Sequence, residues 1–319
     1  MTLPATKKVA VVGAGNIGAD LVMKIVRSAG SLELSAVADI DPHAAGLQKG
    51  MEIGVPTTCR GIGGLLELEG FDDIDIVFDA TSAAVHRRNV SRLHMPGKRV
   101  IDLTAGAAGP LVVPAVNMED HLNAPVVNLV TCPGQAAIPI IAALASVADV
   151  AYAEVVASIA SNAAGPALRA NIDEFTEVTG LAIEQVGGAK RGKAMTILNP
   201  ADPPLTMRDT VFALVHANDE LTQSEIEEAV EMTVEDIASS VPGYRLKQQV
   251  QMNPIAPGSP VGTLLRGNVT CPTHQVSIFL EVEGAGDHLP AYAGNLDVMT
   301  TAAVLFAERI ATADQESAA

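Results

Sequence analysis

The sequence has few aromatic residues and a marked deficit of positive charge. Its 319 residues include no Trp, 3 Tyr and 6 Phe, and 37 acidic residues against 20 Lys and Arg give a formal net charge of -17. Surfaces that stack nucleobases need aromatic side chains, and phosphate backbones and anionic lipids attract positive charge. We therefore expect neither a nucleic acid nor a membrane among the partners of this protein.

Cysteine is also scarce. Cys59, Cys132 and Cys271 are an odd number, lie far apart and lack the short spacings of a zinc site, so we expect no disulfide framework and no metal. The first strand pattern starts close to Met1, which leaves no room for a secretion signal. The longest apolar run, 136–148, is shorter than the ~20 residues that cross a bilayer. We expect a protein of the reducing cytoplasm.

Short aliphatic runs and helical periodicity are what the sequence does contain. Between residues 7 and 130, apolar strands alternate with amphipathic helical segments, which is typical of a Rossmann-type, doubly wound parallel sheet in an α/β protein. After residue 147, longer alternating strands and helices indicate an α+β domain. A final helical pattern, Leu296–Ile310, is expected to return to the first domain. The predicted division is 1–131 with 289–319 for the first domain and 132–288 for the second.

Three glycines form a dinucleotide-binding fingerprint between the first strand and the first helix. Gly13 allows a tight turn, Gly15 lets the backbone approach a pyrophosphate, and Gly18 permits close packing of helix on strand. The N-terminus of the helix then offers N–H groups to the negative charge. The pattern predicts a cofactor cradle made of Gly13, Ala14, Gly15, Asn16, Ile17 and Gly18.

Two carboxylates close the second predicted strand. Asp39 and Asp41 both lie near the expected offset of ~20 residues from the fingerprint, and the alternation of the strand gives them the same orientation. Either one is a candidate acceptor for the ribose hydroxyls. No arginine follows to receive a 2′-phosphate, which favours NAD over NADP. Thr81, at the end of the fourth strand, is a further candidate contact to the cofactor, and Ser82 beside it equally suits a helix cap.

Cys132 lies where the apolar strand 126–130 is expected to turn into a helix over 136–147. Pro133 suits a first helical turn, so Cys132 would lie near the N-cap, beside unpaired N–H groups and the positive end of the helix dipole. This position favours the thiolate and offers backbone donors to an oxyanion. The cysteine is a candidate nucleophile, although an apolar stretch also suits a small buried hydrophobic cysteine.

Several longer strings join the fingerprint and the cysteine in one resemblance. The chain resembles the acylating acetaldehyde dehydrogenases that act with 4-hydroxy-2-oxovalerate aldolases in the degradation of aromatic compounds and steroid rings. The resemblance covers nearly the whole chain, with matching strings at Gly15–Gly18, from Phe78, through Cys132, from Ala164, from Met207, from Pro242 and from Leu289.

The resemblance implies an oxidoreductase that turns a short aldehyde (acetaldehyde or propanal), NAD and coenzyme A into an acyl-CoA and NADH. It implies Cys132 as the nucleophile that carries the acyl group, Asp209 as an aid to the thiol chemistry, and Asn295 as a contact to the nicotinamide carboxamide. It implies a catalytic and dimerising second domain, and a companion aldolase that channels its aldehyde to this enzyme. It also implies a loop on the cofactor side of the cleft, composed of Ala163, Ala164, Gly165, Pro166, Ala167, Leu168, Arg169, Ala170 and Asn171.

Two other functional hypotheses remain beside the acylating dehydrogenase. An NADP-dependent semialdehyde or acyl-phosphate reductase of the related two-domain type would share the fingerprint and the cysteine but use phosphate in place of coenzyme A. The acid at the end of the second strand argues against it. A non-enzymatic, NAD-dependent regulator is the second alternative, and no basic, DNA-reading helix supports it.

Overall fold

The computed structural model describes residues 6–28, 30–93, 95–217, 220–265, 270–286 and 288–318. The chain forms two compact units. The first consists of Met1–Leu129, Gly165–Asn171 and Met299–Ala319, and the second of Val130–Ala164 and Ile172–Val298. The chain thus leaves the first unit just before Cys132 and returns to it within its last helix, with a short middle segment that the sequence-based division did not include.

A six-stranded parallel sheet forms the centre of the first unit, in the order β3-β2-β1-β4-β5-β6. Its strands are β1 (Lys7–Val12), β2 (Leu32–Ala38), β3 (Thr57–Thr58), β4 (Ile76–Asp79), β5 (Arg99–Asp102) and β6 (Val126–Asn128). The helices between them are α1 (Asn16–Arg27), α2 (Ala45–Glu52), α3 (Gly61–Leu66), α4 (Ala83–Leu93) and α5 (Pro114–Asn117). The predicted fold class is confirmed.

The order of the strands reverses between β1 and β4. In open α/β sheets, ligands bind at this reversal, beyond the carboxyl ends of the strands. The strands here are apolar over consecutive residues, as in Val9–Val12, because helices cover both faces of a parallel sheet. The reversal places the glycine fingerprint after β1 and the segment from Ala80 after β4 side by side.

The last helix, α10 (Gly294–Ala318), is anchored to the first unit by polar contacts. Lys24 Nζ in α1 donates to the hydroxyls of Thr300 and Thr301 at 2.9 and 2.6 Å. Near the other end of α10, Arg99 makes a two-pronged ion pair with Asp314, with N–O distances of 2.7 and 2.9 Å. These contacts hold the C-terminal segment against the sheet of the first unit.

A mixed sheet forms the second unit, in the order β10-β12-β9-β7-β8, with β11 also paired to β12. Its strands are β7 (Asp149–Ala160), β8 (Gly192–Asn199), β9 (Met207–His216), β10 (Tyr244–Leu246), β11 (Gln251–Pro254) and β12 (His274–Val282). The helices that follow α5 are α6 (Cys132–Val147), α7 (Pro166–Ala170), α8 (Ile172–Gln185) and α9 (Glu220–Ser240). Helices α6, α8 and α9 pack together and contact the sheet, and α7 belongs to the first unit.

Among the helices within the described ranges, none has both the length and the apolar character required to cross a bilayer. All three cysteines have free thiols.

Candidate active site and cofactor-binding edge

The glycine loop after β1 has the geometry that a pyrophosphate needs. Gly13 adopts φ +88°, and a Cβ atom there would lie 2.5 Å from the carbonyl carbon of Ala80. A Cβ atom on Gly18 would lie 2.0 Å from the carbonyl oxygen of Gly13, whereas space within 4 Å of a Cβ on Gly15 is empty. No side chain caps the start of α1, where Gly15 is the N-cap. The first and third glycines are thus required by packing, and the middle one leaves room for a phosphate over the helix N-terminus.

The structure distinguishes the two carboxylates after β2. Asp39 is half-buried, and its Oδ2 accepts the backbone N–H of Ala14 in the glycine loop at 2.5 Å. Asp41 is exposed, and its Oδ1 accepts the N–H of His43 at 2.9 Å within its own turn. The equivalence expected from the strand alternation does not hold, because the chain bends after Ala38 and only Asp39 lies against the glycine loop.

Thr81 lies beside the glycine loop but is held by its own strand. Its N–H and hydroxyl both donate to Asp79 Oδ1, at 3.1 and 2.5 Å. A Cβ on Gly13 would lie 2.7 Å from the nitrogen of Thr81. The loop from Ala80 therefore forms the second wall of the phosphate cradle.

The segment that the resemblance assigns to the cofactor side is not a simple loop. Gly165–Asn171 belongs to the same compact unit as the glycine fingerprint, whereas Ala163 and Ala164 belong to the other unit. Its middle is the short helix α7, which starts at Pro166, and the following helix begins only at Ile172. The side chain of Ala167 lies outside the described residues.

Cys132 is the first residue of α6 and adjoins the N-cap, near which the sequence predicted it, although the helix itself was expected to begin only at 136. The N-cap is Thr131, whose Oγ1 accepts the N–H of Gly134 at 3.1 Å. The same hydroxyl lies 2.7 Å from Thr179 Oγ1, and Thr179 donates to the carbonyl of Phe175 at 2.7 Å. The sequence analysis did not single out Thr131, although a threonine followed closely by a proline of the first helical turn is a typical capping signal.

The expectation that the helix start favours the thiolate is wrong. Cys132 is buried, and this burial raises the pKa of its thiol to about 12. A hydrogen bond from its own backbone N–H lowers the pKa, the charge of Asp209 raises it, and a hydrogen bond from the Asn295 side chain lowers it. Removal of the sulfur from water therefore outweighs the helix N-terminus, and the thiol is neutral near pH 7.

The expected oxyanion donors of the helix are also not available. Pro133 has no N–H, and the N–H of Gly134 already donates to the Thr131 hydroxyl. The donors that remain beside the sulfur are the N–H of Cys132 itself and the side-chain amide of Asn295.

Asp209 is brought to the cysteine by the second sheet. It lies on β9, paired with Ala157 and Leu280 on the neighbouring strands, and is 1% exposed. Neither of its carboxylate oxygens has a hydrogen-bond partner among the described residues. Burial raises the pKa of Asp209 well above its ordinary value.

Two further polar side chains complete this buried cluster. Asn295 is 1% exposed, and its side-chain oxygen Oδ1 has no hydrogen-bond partner among the described residues. Tyr244, also 1% exposed, donates from its hydroxyl to the carbonyl of Ala136 in α6 at 2.7 Å, and the charge of Asp209 adds to the burial that raises its pKa. The pattern of the sequence gives no local signal for Tyr244, which lies far from Cys132 along the chain.

Known proteins resemble both units. The sequence model described as "Prokaryotic acetaldehyde dehydrogenase, dimerisation" matches residues 132–290, and that described as "Semialdehyde dehydrogenase, NAD binding domain" matches residues 8–124. Acetaldehyde dehydrogenase 6 of Rhodococcus opacus (strain B4) is 60% identical over 304 residues, which are 95% of this chain and 93% of that relative. Acetaldehyde dehydrogenase 3 of Nocardia farcinica (strain IFM 10152) is 59% identical over 311 residues, which are 98% and 95% of the two chains.

A solved structure shows the same fold at low identity. The aspartate semialdehyde dehydrogenase II of Vibrio cholerae, complexed with ASA, matches with a TM-score of 0.57 and 13% identity, over 94% of this chain and 98% of that chain. At this identity the similarity concerns the fold alone.

Proposed function

Because this chain belongs to the prokaryotic acetaldehyde dehydrogenase family, we propose that it oxidises a short aldehyde, acetaldehyde or propanal, to an acyl-CoA through a thioester on Cys132. The family resemblance seen in the sequence is confirmed. The predictions that the protein is an enzyme and that it uses NAD are confirmed as well. Beyond the family assignment, we propose that coenzyme A accepts the acyl group and that a thioester is the intermediate. One observation carries it: a buried thiol, a buried carboxyl and a buried amide with an unpartnered oxygen converge in the second unit.

We propose that Asp209 accepts the proton of the Cys132 thiol as the sulfur attacks the aldehyde carbonyl. A thiol with a pKa of about 12 needs a base at the moment of attack. A carboxylate whose pKa is raised by burial is a stronger base than an exposed one, so the proton transfer is less uphill. Asp209 therefore serves better here than an ordinary surface aspartate.

The hemithioacetal oxygen then needs hydrogen-bond donors. The Cys132 N–H and the Asn295 amide, which both contact the sulfur, are the donors that the cluster offers. Bound NAD supplies the acceptor for the hydride that leaves the carbon. The acyl group remains on Cys132 as a thioester. The thiol of coenzyme A loses its proton to solvent and attacks the thioester carbonyl, and the bond to Cys132 breaks as the sulfur takes back the proton that Asp209 had accepted. Burial keeps water from this thioester.

Intact-protein mass spectrometry tests this proposal. After propanal and NAD are added without coenzyme A, we expect a propanoyl adduct at Cys132, and coenzyme A should then remove it as propanoyl-CoA. Phosphate in place of coenzyme A should leave the adduct in place. Release by phosphate alone would favour the semialdehyde or acyl-phosphate reductase, and absence of any adduct would contradict the thioester.

We propose that Asp39, and not Asp41, accepts the ribose hydroxyls of NAD, because only Asp39 touches the glycine loop. Asp39→Asn should weaken NAD binding on the order of tenfold or more, since a hydrogen bond to a charged acceptor contributes ~1.5–3 kcal/mol. Asp41→Asn is the matched control and should stay within about twofold of the wild type. Calorimetric titration with NAD measures both, and a larger loss in Asp41→Asn would assign the ribose to Asp41.

We also propose that the second unit forms a homodimer through the open face of its sheet. Met195 and Ile197 on edge strand β8 are 41% and 49% exposed, whereas Ala194, which the alternation of the strand places on the opposite face, is 5% exposed. The family matched by this unit carries the word dimerisation in its description. Met195→Asp should shift the sedimentation coefficient from dimer to monomer, and Met232→Asp, on the exposed side of α9, should not. A monomeric wild type would contradict the proposal.

We propose that a 4-hydroxy-2-oxovalerate aldolase of aromatic-compound degradation supplies the aldehyde directly, because short aldehydes are volatile and reactive. The two proteins should elute as one species in size-exclusion chromatography, and two separate peaks at high concentration would contradict a stable complex. We further propose a reducing compartment, the cytoplasm, because the reaction needs a free thiol at Cys132.

A further inference from the structure

A buried histidine lies between two aspartates at the cofactor edge of the first sheet. His86, in α4, forms a hydrogen bond between Nδ1 and Asp79 Oδ2 at 2.8 Å. Its Nε2 lies 3.3 Å from Asp102 Oδ2, an ion-pair distance without hydrogen-bond geometry. All three side chains are 0% exposed. Two carboxylates removed from water next to each other need a positive charge, and the imidazolium is the one placed between them.

The two aspartates hold the ends of three neighbouring strands. Asp79, at the end of β4, accepts the N–H and hydroxyl of Thr81. Asp102, at the end of β5, accepts the N–H of Thr104 at 2.8 Å and the side-chain amide of Asn128, at the end of β6, at 2.7 Å. The histidine thus joins the carboxyl ends of β4, β5 and β6 into one polar network.

This network lies directly behind the phosphate cradle. The N–H of Ala80 donates to the carbonyl of Val12 at 2.7 Å, one residue before the glycine loop. Gly13 packs so closely on Ala80 and Thr81 that no Cβ fits between them. Any movement of the Asp79 carboxylate therefore shifts the wall against which the glycine loop packs.

We propose that His86, as an imidazolium between Asp79 and Asp102, is a positioning residue for NAD, which fixes the loop from Ala80 and balances buried negative charge behind the pyrophosphate site. Without its proton, two buried carboxylates would repel each other and the pyrophosphate. His86 acts through the loop and touches no reacting atom.

The charged groups around His86 determine the pH at which it loses its proton. Burial lowers the pKa of His86, but the hydrogen bond to Asp79 and the charges of Asp102 and Asp79 outweigh this and raise it, with Arg87 on the same helix opposing them. Burial raises the pKa of Asp102 to about 6, against the lowering effect of the His86 charge. The raised pKa of His86 favours the imidazolium in this network, and the network loses that charge as the pH rises through that pKa.

NAD titrations of five proteins test the proposal: wild type, His86→Gln, Asp102→Asn, the double variant His86→Gln/Asp102→Asn, and a control. His86→Gln should weaken NAD binding on the order of tenfold at pH 7. The double variant removes one charge of each sign and should recover most of that loss. His121→Gln, a half-buried histidine of the same unit, is the matched control and should bind NAD as the wild type does.

The pH profile of NAD binding separates charge balance from packing. Wild-type affinity should fall at alkaline pH as His86 loses its proton, and the His86→Gln profile should be flat there. Asp102→Asn removes a charge that raises the pKa of His86, so its profile should fall at lower pH than that of the wild type. The comparison of the Asp102→Asn and wild-type profiles tests the proposal even if His86→Gln fails to fold. A double variant no better than His86→Gln, or profiles that coincide in wild type and Asp102→Asn, would overturn the proposal.

Discussion

Replacing Cys132 with serine should reduce NADH formation from aldehyde by roughly 10³-fold or more and remove the acyl adduct. A serine hydroxyl is a weaker nucleophile than sulfur, and its buried position offers it no better base than the cysteine has. A loss of 10³-fold corresponds to about 4 kcal/mol of transition-state stabilisation. NADH absorbance with saturating aldehyde, NAD and coenzyme A measures the rate, and mass spectrometry reports the adduct.

The chain provides its own controls for this variant. Cys59 and Cys271 are exposed free thiols, and Cys59→Ser and Cys271→Ser should retain wild-type turnover. NAD binding by Cys132→Ser should be unchanged, because the glycine loop and Asp39 lie in the first unit. Full activity in Cys132→Ser, or an adduct that moves to another residue, would contradict the assignment.

The parts of this fold that sequence predicted are those that local patterns specify. Strands buried on both faces leave apolar runs, so the runs around Val9–Val12 and Arg99–Asp102 were recognisable. Strands β3, β10 and β11 have two to four residues each, too few to establish an alternating pattern, so no local pattern predicts them.

The ionisation of the active site depends on the tertiary structure and escaped prediction. A helix start and a proline are visible in the sequence around Cys132, and they argue for a thiolate. The degree of burial is set by packing from distant segments, among them Tyr244 of β10, whose hydroxyl reaches the carbonyl of Ala136. The effect of burial on the pKa of Cys132 is the larger one, because the free-energy cost of a desolvated thiolate exceeds the stabilisation that the first turn of a helix gives to that charge.

The roles of the carboxylates at the cofactor edge also depend on tertiary contacts. Alternation along a strand treats Asp39 and Asp41 alike, and a bond across 25 residues to Ala14 distinguishes them. His86 and its partner Asp79 are 7 residues apart but lie on a helix and a strand, so no single periodicity relates them. Asp102 comes near His86 only because β4 pairs with β5. Charge clusters that cross strands are thus invisible until the strand order is known.

The second large effect is expected at Asp209. Asp209→Asn should lower turnover by roughly 10²–10³-fold, because the amide cannot accept the thiol proton. Its shape is nearly that of the carboxyl, and the buried carboxylate has no hydrogen-bond partner among the described residues, so the fold should not be destabilised. Asp149→Asn, which alters an exposed carboxylate paired with Lys190, is the matched control and should retain activity.

Two pH measurements distinguish a proton acceptor from a merely structural aspartate. The charge of Asp209 raises the pKa of Cys132, so Asp209→Asn should make the thiol more acidic and shift its alkylation by iodoacetamide to lower pH while turnover falls. Burial raises the folded-state pKa of Asp209, so its contribution to the free energy of unfolding is present at acid pH and lost as the pH rises through that pKa. Asp209→Asn should therefore be the more stable protein at neutral pH, by urea denaturation, and the advantage should vanish at acid pH. An asparagine variant that turned over aldehyde at the wild-type rate would remove Asp209 from the proton transfer, because the more acidic thiol alone would then suffice.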